Sequence, residues 1–167
     1  MSINQGWNLL SSTIGFPIVG AFGDSTTFSS VWKWENGTWA VYLPGETNHG
    51  DYAASKGFTP LLTINSGEGF WVNATGASSV TISGTPAYGG PSFTSGWNLV
   101  GLKSATSTTV TDFIADKPGI VSLWKWENET WSVYLSGGDG GVSYTTSKGF
   151  GHMTTISPKE GVWVNMQ

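Results

Sequence analysis

Apolar and polar residues alternate along this chain in short runs. Trp32 and Trp34 alternate with Lys33 and Glu35, which on a strand puts two indoles on one face and two charges on the other. Asn36-Gly37 follows, the strongest short hairpin signal, because a type I′ turn needs φ > 0 at both central residues. A two-residue turn there pairs Glu35 with Thr38, Trp34 with Trp39 and Trp32 with Val41. The hairpin then has an aromatic face (Trp32, Trp34, Trp39, Val41) and a polar face (Lys33, Glu35, Thr38, Tyr42). Residues 6–10, 61–64 and 69–73 predict further strands, with counterparts at 153–156 and 161–165. Residues 109–116 predict one or two helical turns, where the first half has a Gly-rich segment. Residues 44–57 and 136–149 read as long loops. The fold class that follows is all-β: a pseudo-twofold, duplicated antiparallel β-sandwich or barrel of short strands.

The duplication is read directly from the residues. Gly6-Trp7-Asn8-Leu9 recurs as Gly96-Trp97-Asn98-Leu99, an offset of 90. Trp32-Lys33-Trp34-Glu35-Asn36 recurs as Trp124-Lys125-Trp126-Glu127-Asn128, an offset of 92 that holds to Trp71-Val72-Asn73 and Trp163-Val164-Asn165. All 10 Trp fall into matched pairs, whereas neither His has a matching His. In the second copy Glu129 replaces Gly37, which predicts a different turn type or a longer loop. The copies span 6–75 and 96–167, joined by a connection at 76–95 in which Val80-Thr81-Ile82 looks strand-like. Each copy is marginal for an independent core, so one domain with a shared core over 1–167 is expected.

Composition narrows the chemistry. The chain has no Cys, its 7 basic residues are all Lys, and its net charge is −4. Thiol chemistry, disulfides and Cys-ligated zinc are excluded. Nucleic acid is a poor partner without Arg or a basic footprint. No apolar run approaches the ~20 residues of a membrane span, so no membrane insertion is expected. Residues 1–5 lack the basic and apolar regions of a signal peptide. A mature or excised domain of a secreted or cell-surface protein is expected.

Catalytic patterns are sparse. No Gly-x-Ser-x-Gly elbow or His-Glu-x-x-His spacing occurs, and His49 and His152 lie in turn-like segments. Glu35 with Glu68, and Glu127 with Glu160, could form the carboxylate pair of a glycosidase. Their turn positions read more simply as solvated carboxylates. Calcium near Asp139, or near Glu46 and Asp51, is a weaker reading; no metal and no cofactor are expected.

The tryptophans remain. Trp7, Trp32, Trp34 and Trp39 share faces with Leu and Val and read as core. Trp71 shares a face with Asn73 and opposes Phe70 and Val72, the better core candidates. Trp71 and Trp163 are therefore the candidate exposed aromatics. Tyr52 and Tyr144, in the matched loops, and Lys56 and Lys148, which close them, join these as candidate ligand contacts. The candidate ligand-binding set is Trp71, Asn73, Tyr52 and Lys56, with Trp163, Asn165, Tyr144 and Lys148. Indole faces beside amide and hydroxyl groups suit the apolar C–H face and the hydroxyls of a sugar.

Gly-Trp-Asn-Leu (6–9), the Trp-x-Trp…Trp…Tyr hairpin (32–42) and the closing Gly-x-Trp-Val (69–72), with their copies, resemble a repeat of bacterial secreted and cell-surface proteins. The resemblance implies an extracytoplasmic, non-catalytic β module that accompanies larger domains. The expected function is a non-catalytic, lectin-like carbohydrate-binding or adhesion module. It would have two quasi-equivalent aromatic sites, with a polysaccharide or glycan as partner. The competing reading is a structural or assembly module of a surface protein, contacting its other domains. A glycoside hydrolase is the third.

Overall fold

A computed structural model describes all residues, 1–167. The first half contains β1 (Ser2–Ile3), β2 (Gly6–Ser11), β3 (Phe16–Pro17), α1 (Ile18–Phe22), β4 (Phe28–Glu35), β5 (Thr38–Tyr42), α2 (Asp51–Ser55), β6 (Thr59–Pro60), β7 (Thr63–Ile64), β8 (Gly69–Ala74) and β9 (Ser78–Ser79). The second contains β10 (Gly96–Gly101), β11 (Thr108–Thr109), α3 (Val110–Ile114), β12 (Ile120–Glu127), β13 (Thr130–Leu135), α4 (Val142–Lys148), β14 (Gly151–His152), β15 (Thr155–Ile156) and β16 (Gly161–Met166). The protein is mostly β. Its main sheets are two, each of five strands, in the orders β2-β8-β4-β5-β6 and β10-β16-β12-β13-β14. Neither sheet closes into a barrel. All pairs are antiparallel except β5 with β6 and β13 with β14. No helix is long and apolar enough to cross a membrane.

The hairpin register agrees with the sequence: Glu35 pairs with Thr38, Trp34 with Trp39 and Trp32 with Val41. The second hairpin has the same two-residue turn, not a longer one. Trp126 pairs with Trp131, and Asn128 (φ 50°) and Glu129 (φ 59°) both adopt the left-handed conformation the turn requires. The hairpin's two faces are assigned the other way round from expectation. Lys33 and Tyr42 are buried with Val31 and Ala40, while the indoles stay partly open to solvent. One residue explains why both neighbours of the strand can be satisfied. A bulge between Phe28 and Ser30 lets Phe28 enter the core while Ser30 and the tryptophans share the other face.

The apolar core falls into two clusters, one in each half, rather than one shared core. Phe16, Phe22, Phe28, Val31, Ile64, Phe70 and Val72 anchor the first; Phe113, Leu123, Met153, Ile156, Val162 and Val164 anchor the second. The Gly-rich segment of the first half forms α1, where Ile18 and Phe22, spaced i and i+4, are both buried. The two long loops carry helices α2 and α4. Side-chain caps hold them: Glu46 accepts from the N–H of Gly50 and Tyr52, and Asp139 accepts from Gly141 and from Ser143. Those contacts occupy Glu46 and Asp139, two of the three carboxylates considered above for calcium; Asp51 accepts from the Asn48 amide. The strand of the connection lies at Ser78–Ser79, paired with Ser2–Ile3. Val80 follows it into the core.

Each letter of Gly-Trp-Asn-Leu has a separate task. Gly6 and Gly96 adopt φ 84° and 89°, a conformation that L side chains avoid. Asn8 clasps the preceding bend, accepting from Asn4 N–H at 2.8 Å and donating to the carbonyls of Asn4 and Gly6. Asn98 does the same with Thr94 and Gly96. Leu9 and Leu99 are buried between the halves, leaving Trp7 and Trp97 each 45% exposed.

The halves meet through reciprocal contacts. Ser11 N–H donates to Lys159 carbonyl at 2.8 Å, and Gly101 N–H to Gly67 carbonyl at 2.9 Å. Leu10 bridges to Glu160 and Val100 to Glu68. The Trp34 indole N–H donates to the Trp97 carbonyl at 3.1 Å, and Trp126 to the Trp7 carbonyl at 3.2 Å. These bonds cover the open edges of β2 and β10, which would otherwise be free to pair with another chain.

Candidate functional site

On β2, Trp7, Leu9 and Ser11 point to one face; on β8, Gly69, Trp71 and Asn73 point to the same one. Trp32, Trp34 and Trp39 complete that face, and the second half matches it. Where the two tryptophan faces meet, Leu99 lies against Gly69 and Leu9 against Gly161. The result is a surface to which all ten tryptophans contribute. Eight are half-buried and two exposed. Neighbouring rings meet mostly edge to face, from 5.2 Å for Trp34–Trp39 and Trp126–Trp131 to 6.0 Å for Trp7–Trp71. That is the preferred geometry of aromatic quadrupoles. Rings also meet between the halves: Trp39 with Trp163 at 5.8 Å, and Trp71 with Trp131 at 5.9 Å.

Two hollows open on this surface, and tryptophan alone lines both. One, of about 610 Å³, is lined by Trp7, Trp32, Trp71 and Trp126 together with Trp39, Trp131 and Trp163. The other, of about 520 Å³, is lined by Trp34, Trp97 and Trp124 together with the same last three. Such volumes fall in the range of small-molecule sites.

Trp71 lines the first hollow and Trp163 both, and each is half-buried. The reading of Trp7, Trp32, Trp34 and Trp39 as core is overturned: each lines a hollow. The smaller Val31, Ala40, Val72 and Ala74 fill the interior instead. Asn73 lies on the tryptophan face opposite Trp7, and Asn165 lies opposite Trp97. Neither side-chain amide bonds within the chain. Tyr52 and Tyr144 sit on helices and buttress Trp32 and Trp124 at 6.5 and 6.4 Å. Phe58 and Phe150 share that role at 5.6 and 6.0 Å. Lys56 and Lys148, at the ends of α2 and α4, are exposed and line neither hollow. The halves differ in one polar detail. Trp124 indole N–H donates to Ser122 hydroxyl at 3.0 Å. The buried Trp32 N–H has no partner, although Ser30 occupies the matching position.

The paired carboxylates lie on the opposite face of the strands. Lys33, only 4% exposed, bridges Glu35 at 2.7 Å and Glu68 at 3.0 Å. Lys125 bridges Glu127 at 2.9 Å and Glu160 at 3.2 Å. Glu68 also accepts from Asn65 N–H, and Glu160 from Ser157 N–H, which braces the turns that lead into β8 and β16. Burial pushes the Glu127 carboxyl up, but the Ser132 hydroxyl and Lys125 outweigh it and hold it below the usual carboxylate range. A general acid needs the reverse shift. His49 packs against Tyr42 with the rings tilted, 5.3 Å between centroids. No three His, Asp or Glu side chains converge as a metal site would require.

No family model, curated protein or solved structure matches the chain.

Proposed function

We propose that this protein is a non-catalytic carbohydrate-binding or adhesion module. In this reading the tryptophan surface is its binding face and a glycan its partner. One observation carries the reading: two hollows of sugar-binding size walled only by indoles, with two unengaged amides, Asn73 and Asn165, on the same face. Indole faces stack on the C–H face of a pyranose, and amides can both donate to and accept from its hydroxyls. The matching strand orders and reciprocal contacts support a duplicated unit related by an approximate two-fold axis. The resemblance to repeats of bacterial surface proteins supports a place in a secreted or surface protein.

Pull-down on insoluble polysaccharides and a glycan array test the proposal. Retention that Trp71→Ala or Trp163→Ala reduces is expected, and a broad panel with no retention refutes it. The structural reading is favoured by Trp34 and Trp126, whose indole N–H groups join the halves. Acrylamide quenching separates the two. A free glycan-binding face leaves the tryptophans open to quencher until sugar protects them. Under the structural reading, sugars leave quenching unchanged.

A further inference from the structure

We infer that the two hollows form one groove and that this groove takes a single uncharged, extended polysaccharide chain lying across both halves. The inference rests on the carbohydrate reading and specifies it. Trp39, Trp131 and Trp163 wall both hollows, so no ridge of other residues divides them. Trp39 and Trp163 come from different halves and touch at 5.8 Å. The indole lining therefore passes from one half to the other without interruption by another residue type. Trp7 and Trp97, each 45% exposed, wall one hollow apiece, and the unengaged amides of Asn73 and Asn165 face them from the neighbouring strands.

Charge selects among sugars. No Lys, Asp or Glu lines either hollow, and the ion pairs of Lys33 and Lys125 lie on the other face of the sheets. The net charge of −4 opposes an acidic glycan. A neutral sugar polymer stacks on successive indoles, with the amides of Asn73 and Asn165 on the same face beside Trp7 and Trp97.

The test is calorimetric titration of the full chain with β-1,4-linked gluco-, manno- and N-acetylglucosamine oligomers, from disaccharides to octasaccharides. Oligogalacturonides serve as the charged comparison. Short oligomers should bind two per protein. Long ones should bind one per protein, about 10²-fold or more tighter, as linked subsites do. Trp97→Ala, at an exposed wall of one hollow, should reduce short-oligomer stoichiometry from two to one and weaken the long ones. Trp7→Ala should do the same, and near-ultraviolet circular dichroism verifies that each variant is folded. Long oligomers that bind two per protein with no gain in affinity would overturn the single groove and leave the carbohydrate reading standing. Equal affinity for oligogalacturonides would overturn its neutrality. Absence of binding by every sugar would remove the carbohydrate reading, and this inference with it.

Discussion

Ser11 and Gly101 occupy matching positions at the ends of β2 and β10, and they meet each other. A Cβ built on Gly101 would lie 2.0 Å from both Cβ and Oγ of Ser11, and 3.1 Å from the Glu160 carbonyl. Ser11 Oγ already donates to that carbonyl at 2.8 Å. The junction therefore accommodates one serine and one glycine, not two serines. Gly101 does not adopt a left-handed φ, so the cost of a side chain there is steric. Gly101→Ser must displace a strand whose backbone is bonded across the junction. Overpacking of this kind costs about 1–3 kcal/mol, and the rigid surroundings place it near the upper end. For a chain of this length each kcal/mol lowers Tm by about 2–4 °C, which for about 2–3 kcal/mol gives a loss of about 4–12 °C. Ser11→Gly alone loses one hydrogen bond and gains backbone freedom, about 1–2 kcal/mol in all. The exchanged double variant, Ser11→Gly with Gly101→Ser, restores the one-serine arrangement and should recover most of the stability that Gly101→Ser loses. Urea and thermal unfolding of the four proteins give the coupling energy directly. A Gly101→Ser protein within about 0.5 kcal/mol of the parent, the usual span of a harmless surface change, would refute the argument. So would a double variant no more stable than Gly101→Ser.

Three further outcomes are expected. Trp34→Phe and Trp126→Phe each remove one hydrogen bond between the halves and should each cost about 1 kcal/mol in thermal unfolding; no loss in either would mean that these bonds add nothing to the junction. Glu129→Gly relieves a left-handed L residue in the second hairpin turn and should stabilise by about 1 kcal/mol, read from the urea midpoint, with Gly37→Glu doing the opposite. Hydrogen bonds from Ser143 and Gly141 depress Asp139, and bonds from Thr26 and Thr27 depress Asp24, both to about 2 from an ordinary 3.8. Depressed folded values add stability above the unfolded pKa that disappears as pH falls through the folded one. The urea midpoint should drop between pH 4 and 2, and less steeply in Asp139→Asn; an unchanged acid limb would refute the cap.

The hairpin and the strands β2, β8 and β16 were legible because two-residue turns and period-two alternation are local signals, whereas 61–64 and 153–156 hold only the two-residue strands β7 and β15. The helices α1, α2 and α4 were not. Each is five to seven residues long, too short for a helical period to emerge, and α2 and α4 owe their start to carboxylates several residues away. The site was half legible. Trp71 and Asn73 stood out because Phe70 and Val72 offered a better core face. Applied to Trp32 and Trp34, the same argument needed to know that Lys33 lies inside. A buried lysine is rare without partners, and of its two partners Glu35 is on the same strand while Glu68 is 35 residues away. Trp39 and Trp131, which line both hollows, were marked by their pairing alone.

The pairing of β1 with β9 also sets how the first half responds to tension. Ser2 lies opposite Ser79 and Ile3 opposite Ser78, so the chain enters and leaves this half side by side. Gly6 opposite Ala74 continues the same arrangement inward. A pull between residues 1 and 80 therefore loads the rungs one after another and opens the half like a zipper. Strands pulled along their length would share the load among all rungs at once. Pulled apart at residues 1 and 80, the first half is expected to open at lower force than it would under a load along its strands, which single-molecule stretching from those two positions would measure.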